Sequence, residues 1–223
     1  MNKGAILLQK DFFTSAQINE IAALTQQDEG EKSNVHESGR YAGLQWHQVD
    51  LRQKGYPWLA TLYEFLGITE AEMAVFYYLS PAAFLHPHRD LTGASMNNRL
   101  RFHVPIITNE NVDFRVSHER IRMQPGECWC LDTSYLHSVL NGGDATRVHI
   151  VIECNVNDKI RAMLPPRDLR DRVHDIYFIS LLASRFLQAL LVNSVRNSAY
   201  LKAQLRMVWR FIRWRILKLE SAS

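Results

Sequence analysis

Cysteine is scarce in this chain, with Cys128, Cys130 and Cys154 the only three in 223 residues. So small and odd a number excludes a disulfide framework, and the Cys-x-Cys step inside an apolar run places two thiols on one strand face as buried, unreactive groups. Long hydrophobic runs are also wanting. At the N-terminus four apolar residues precede Gln9, Lys10 and Asp11, too few for the core of a secretory signal. Residues 176–192 number 17 and carry Arg185 near their middle, short of a comfortable membrane span. No internal repeat or low-complexity stretch occurs. At 47% apolar and 22% charged residues, the composition excludes a disordered chain, a collagen and a disulfide-stapled miniprotein. The expectation is a protein of a reducing compartment, cytoplasmic or peripheral at a membrane.

Acidic residues are absent from one stretch. Residues 176–219 hold eight Lys or Arg and no Asp or Glu, so the rest of the chain carries a net negative charge although the whole is +3. That asymmetry points to a separate role for the tail, at an anionic surface.

Thr14-Ser15-Ala16-Gln17 reads as a capping box, which predicts a helix running to about Gln27. A polar loop, DEGEKSNVHESGR, follows. Pro57 suits a first helical turn, and WLATLYEFLG then predicts a short helix ended by Gly67. After Glu70 the texture changes to short β-branched and aromatic runs: AVFYYLS, FLHPHRD, RLRFHVPIIT, VDFRVS, RIRM, CWCLD and TRVHIVIEC. The turn signals SPAA, LTGASMNN, NENV, QPGE and NGGDA separate them. Seven or eight strands over roughly 80 residues predict a mainly β fold with flanking helices, its core a double-stranded β-helix, or jelly roll, able to hold a ligand between its sheets. LPPRD at 164–168 marks the boundary to a basic helical tail. The division expected is residues 1–163 as one domain, with a core at about 72–156, and 164–223 as an amphipathic helical tail. In the tail Leu201, Leu205, Val208, Trp209, Ile212, Ile216 and Leu219 trace an apolar stripe flanked by Lys202, Arg206, Arg210, Arg213 and Lys218. Asn193-Ser194 and Asn197-Ser198 separate two helices.

Six of the nine histidines fall between positions 86 and 149, inside the β-rich stretch. In His88-Arg89-Asp90 alternate strand residues share a face, so imidazole and carboxylate can converge on one ion. His137 follows 47 positions after Asp90, where a second strand could bring it alongside. Two histidines and one carboxylate form the facial triad of non-haem Fe(II) oxygenases, which leaves three positions open. Arg147 opens the next strand. A guanidinium there could grip the far carboxylate of a short dicarboxylic acid chelated to the metal, whereas taken alone it reads as a surface or ion-paired residue.

From Phe84 to Cys154 the chain resembles the aspartyl/asparaginyl β-hydroxylase family of Fe(II)- and 2-oxoglutarate-dependent dioxygenases, which includes free-proline hydroxylases. The segments carrying the resemblance are HPHRD, RLRFHVPIITN, FRVSHERIRMQPGECWCLD and HSVLNGGDATRVHIVIEC, and a weaker similarity reaches upstream to about Trp46. The resemblance implies iron bound by His88, Asp90 and His137, and the distal carboxylate of 2-oxoglutarate bound by Arg147. It matches Arg101 and His103 to an Arg-x-His step that contributes to co-substrate and substrate binding, and Tyr77 to a hydroxyl-bearing position near the co-substrate. Some members replace the acidic ligand with Gly; this chain keeps Asp90. The implied reaction uses O2, releases succinate and CO2, and hydroxylates an amino-acid, peptidyl or lipid-linked substrate. Arg101 suggests that this substrate bears an acidic or polar group.

Other candidates carry plainer readings. His86 lines the mouth of the pocket or is satisfied by hydrogen bonds, and His149 either supports the site behind Arg147 or is a structural histidine. Arg99 is expected to be solvated and Trp129 to be core. The tail packs on the jelly roll or a sister subunit, or lies in an anionic membrane interface through 176–219 with Trp209 and Trp214 near the headgroups. No nucleic-acid partner is expected, the oligomeric state is open, and the alternative to an enzyme is a non-catalytic metal- or ligand-binding jelly roll docked through its tail.

Overall fold

The computed structural model describes residues 4–28, 33–34, 45–90, 98–117, 119–166 and 168–193, together with 202, 205, 206 and 209. Most of the expected polar loop, residues 91–97 of the LTGASMNN turn, residues 194–198 of the expected helix break and most of the tail stripe lie outside the described residues.

Eleven strands are present among them: β1 (Ala5–Gln9), β2 (Ser33–Asn34), β3 (Trp46–Asp50), β4 (Met73–Leu79), β5 (Phe84–His88), β6 (Arg99–Ile107), β7 (Val112–Val116), β8 (Glu119–Ile121), β9 (Cys128–Leu131), β10 (His137–Asn141) and β11 (Arg147–Asn155). Helix α1 (Ser15–Gln27) starts with the predicted capping box, Thr14 Oγ1 accepting from the Gln17 amide and the Gln17 side chain accepting from the Thr14 amide. Helix α2 (Pro57–Leu66) begins at Pro57 and ends on Gly67, whose φ of 67° needs a residue without a Cβ penalty. Strands β1, β2, β3 and β10 are absent from the expected runs; the first three extend the larger sheet, β10 joins the smaller one, and the apolar N-terminal run is an edge strand paired with β9.

The strands form a seven-stranded sheet in the order β1-β9-β6-β11-β4-β3-β2 and a four-stranded sheet in the order β5-β10-β7-β8, antiparallel throughout. The two-residue period sorts the side chains of the larger sheet into two populations. Ala74, Phe76 and Tyr78, Phe102 and Val104, Cys128 and Cys130, and Val148, Ile150 and Ile152 join α1 and α2 in one core. The intervening positions face the smaller sheet, where Leu79 and Leu131 meet Leu85, Phe114, Val116 and Val139 in a second core. All three cysteines are buried and free.

After β11 come α3 (Asp158–Met163) and α4 (Leu169–Asn193). The LPPRD segment separates the two helices, and Asp168 Oδ1 accepts from the Arg170 and Asp171 amides at the start of α4.

Asn141, fully buried, locks the end of β10 to the opposite sheet. Its Nδ2 donates to the carbonyls of Leu79 and Ala145, both at 2.9 Å, and its Oδ1 accepts from the Gly143 amide. Asn141→Ala is expected to destabilise the protein by about 2–4 kcal/mol, because two buried carbonyls and an amide lose their partner. Urea unfolding measures this, and a loss within about 0.5 kcal/mol would deny the residue this role.

Candidate metal centre

Strand pairing assembles the donors. In the antiparallel β5–β10 pair, His88 lies directly opposite His137, and the Asp90 amide just beyond β5 donates to the Thr133 carbonyl at 2.9 Å. One donor atom each from His88, Asp90 and His137 then fall within 4.8 Å of one another. His88 Nε2 is 3.5 Å from Asp90 Oδ1, and His137 Nε2 is 4.0 Å from Asp90 Oδ2.

Both imidazoles are set for coordination by backbone carbonyls two residues earlier. His88 Nδ1 donates to the His86 carbonyl at 2.7 Å, and His137 Nδ1 donates to the Tyr135 carbonyl at 2.9 Å. A carbonyl can only accept, so each proton sits on Nδ1 and each Nε2 carries the lone pair toward the shared point. Burial lowers the His137 imidazole to about 4 against the opposing pull of Asp90, so it is neutral near pH 7.

Asp90 is oriented by Arg101 on β6, whose Nη1 lies 2.9 Å from Asp90 Oδ2. The same guanidinium donates from Nη2 to Glu153 on β11 at 2.8 Å. Burial acts to lower Arg101, and its two acids more than reverse that. Arg101 is therefore committed to two protein carboxylates rather than presented for a ligand. Glu153 was not foreseen, although its parity with Arg147 and His149 on one strand places it on this face. Arg99 departs from the solvated expectation, with Nη2 2.9 Å from Glu72 Oε1 and Nη1 3.9 Å from Glu153.

A cavity of about 320 Å³ runs from the three donors to Arg147, with Tyr77, Trp46 and His103 among its walls. Arg147 lies on β11, 4% exposed, with Nη2 donating to His149 Nδ1 at 2.8 Å and its guanidinium 5.7 Å from the Phe114 ring. Its buried Nε has no partner, and no carboxylate pairs with it among the described residues. Burial lowers the guanidinium to about 9, so it remains a cation at pH 7 without a counter-charge. The donor set suits a divalent transition metal, and the orphaned guanidinium suits the carboxylate of a small acid between the sheets.

His103 and His149 face each other, Nδ1 to Nδ1, at 3.4 Å. Since Arg147 can only donate, His149 accepts at Nδ1 and its proton lies on Nε2; His103 in turn donates from Nδ1. His149 thus stands behind Arg147. Tyr77 packs edge-on against Trp46 at 5.2 Å and donates to Met73 Sδ at 3.2 Å, walling the cavity without touching the donor triad. His86 is exposed against Phe84, with its carbonyl rather than its ring serving the site. Trp129 is half-buried, its indole donating to Glu127.

A family model for aspartyl/asparaginyl β-hydroxylase matches residues 15–156, well over half of the chain. A search of curated protein sequences finds no significant match. Among solved structures, a Pseudomonas putida prolyl-4-hydroxylase aligns with TM-score 0.52 at 14% identity, covering 70% of this chain and 94% of that one. A Trichoplax adhaerens prolyl hydroxylase, in complex with a hypoxia inducible factor peptide fragment, aligns with TM-score 0.54 at 11% identity, covering 72% and 87%. The non-haem α-ketoglutarate-dependent epimerase SnoN of nogalamycin biosynthesis aligns with TM-score 0.53 at 14% identity, covering 68% and 77%. At such identities these likenesses establish a shared fold.

Burial holds His103 and His149 well below the ordinary histidine range, with Arg147 pushing the same way. Below about pH 6.5 the unfolded chain takes up protons that these rings refuse in the fold, so stability is full above that pH and falls beneath it. Each ring is expected to cost up to about 1.4 kcal/mol per pH unit on acidification. The urea midpoint of the metal-free protein should fall from pH 7 to pH 5, and fall less in His149→Phe.

Proposed function

Since this chain belongs to the aspartyl/asparaginyl β-hydroxylase family and is thereby a 2-oxoglutarate-dependent hydroxylase, we propose that His88, Asp90 and His137 hold its Fe(II) and that Arg147 holds the distal carboxylate of 2-oxoglutarate. The observation that carries this is the single cavity with a convergent His-Asp-His set at one end and a buried, uncompensated guanidinium at the other. When bound, Fe(II) with 2-oxoglutarate and O2 supplies the oxidative decarboxylation to succinate and CO2 that hydroxylates the substrate.

The protein's own residues prepare that chemistry. The His86 and Tyr135 carbonyls fix both imidazoles with Nε2 inward. Arg101 occupies Asp90 Oδ2, leaving Oδ1 as the donor facing His88. His103, kept neutral by burial, and Tyr77, whose phenol burial keeps protonated, give the channel a polar but uncharged wall beside Arg147. Trp46, Leu79 and Val139 narrow the space and exclude water, which strengthens the guanidinium's hold on a carboxylate. The substrate is an amino acid, a peptidyl residue or a lipid-linked molecule. A substrate acid would reach Arg101 only by sharing it with Glu153, so we assign Arg101 to Asp90.

The tail supports a peripheral role at an anionic membrane. On α4, Leu169, Val173, Ile176 and Leu187 are 73%, 58%, 67% and 57% exposed, and the acid-free stretch 176–219 begins within the sequence of this helix. No described helix is long and apolar enough to cross a bilayer.

Anaerobic addition of Fe(II) and 2-oxoglutarate is expected to produce a visible metal-to-ligand charge-transfer band that is lost in His137→Ala. Metal binding without that band would remove the assignment of the triad and Arg147 to Fe(II) and 2-oxoglutarate. Arg147→Met is expected to raise the Kd for 2-oxoglutarate by about 30-fold or more, the effect of removing one partner of a buried charged pair. The same change removes an unpaired buried charge, so the ligand-free thermal midpoint should rise; a fall would contradict the electrostatic reading. Replacing Arg206, Arg210, Arg213 and Arg215 together by Gln in the full chain should abolish co-sedimentation with phosphatidylserine-containing vesicles, and undiminished co-sedimentation would remove the membrane role.

A further inference from the structure

We propose that α4 is a working part of the metal centre, with His174 and Tyr177 as positioning residues that hold the two ligand-bearing segments in one frame. The inference rests on reading His88, Asp90 and His137 as metal ligands. The region shared with the family ends at residue 156, and α4 begins thirteen residues later, at Leu169. The helix nevertheless reaches back to the backbone that carries the donors.

The His174 ring stacks on Tyr135 with centroids 3.6 Å apart and planes 3° from parallel. Its Nε2 lies 3.0 Å from Ser134 Oγ. The Tyr135 carbonyl is the acceptor that fixes the His137 ring, so His174 grips the residue that sets one ligand's angle. One turn further along, the Tyr177 ring lies 5.3 Å from the guanidinium of Arg89, the residue between His88 and Asp90. Arg89 donates from Nη1 to the Ser134 carbonyl at 2.6 Å, and the Asp90 amide donates to the Thr133 carbonyl at 2.9 Å. The segment of His88 and Asp90 and the turn leading into His137 are thus laced together, and α4 clasps both.

A metal site needs its donors held within about half an ångström, and groups that hydrogen-bond a ligand directly typically alter metal affinity by about 10–100-fold when removed, so a residue acting through the Tyr135 carbonyl is expected at the lower end of that range. The Tyr135 carbonyl sits in a turn rather than in a sheet ladder. The Tyr135 side chain packs against the second core as well as against the His174 ring, so His174 is one of the contacts that hold this turn.

The test is Mn(II) affinity of the full-length protein by calorimetry, with the Co(II) ligand-field spectrum as a geometric readout. His174→Ala is expected to weaken Mn(II) binding by about tenfold and to alter the Co(II) bands. His174→Phe keeps the stacked ring and should restore most of the affinity. Tyr177→Leu, at a half-exposed position that tolerates change, should weaken Mn(II) binding in the same direction and to a smaller degree. Wild-type affinity and an unchanged Co(II) spectrum in either His174→Ala or Tyr177→Leu would overturn the assignment, whatever their thermal midpoints. Should His174→Ala fail to fold, Tyr177→Leu and His174→Phe decide. A wild-type protein that binds no Mn(II) would instead sink the metal-site reading itself.

Discussion

A cation buried without a counter-charge is the constraint around which this fold is organised. Arg147 starts the central strand β11 with its side chain between the two sheets, and no acid answers it among the described residues. Arg101, two strand positions from His103 on the neighbouring strand, is less enclosed and lies between Asp90 and Glu153. The contrast separates two uses of arginine. Arg101 is neutralised by the protein and serves to orient a carboxylate, whereas Arg147 keeps its charge available at the cost of stability, with only a neutral imidazole and an aromatic ring for company. An enclosed cation is tolerable when a ligand carboxylate completes it, and the cavity leading from Arg147 to the donor triad leaves room for one.

Register does the rest. Because strand side chains alternate, a slip of one residue between β5 and β10 would turn one histidine away from the other, and a slip of β11 against β6 would exchange Arg147, His149 and Glu153 for Val148, Ile150 and Cys154. The outer face of the larger sheet holds the register, since its apolar side chains are packed under α1 and α2 and could not move to the polar side without exposing that core. Asn141 fixes the far end of β10 to β4. The hydrophobic layer beneath the helices therefore aligns groups that it never touches.

The contacts of α4 change how the C-terminal part of the chain is understood. The LPPRD break separates residues 164–223 from the domain before them and the charge asymmetry marks 176–219, yet the first three turns of α4 lie against the turn that carries Tyr135 and against Arg89, while its outward face keeps Ile176 and Leu187 exposed. One helix thus presents an apolar stripe to solvent while His174 stacks on Tyr135 and Tyr177 lies over Arg89.

Much of the architecture was legible locally. The capping box at Thr14, the Pro57–Gly67 helix and the strands β4 to β9 and β11 follow from short-range rules, because caps, turn residues and two-residue alternation act within a few positions. His88, Asp90, His137 and Arg147 stood out by spacing, and parity put Arg147 and His149 on one face, while Glu153 was not foreseen. What short-range rules cannot supply is which distant segment answers each group. Tertiary pairing decided that Arg101 belongs to Asp90 and Glu153, that Arg99 is ion-paired, that β1 and β3 extend the larger sheet, and that His174 stacks on Tyr135. Each of these is a contact between segments brought together by the cooperative burial of two cores, and no local pattern of residue types encodes the partner.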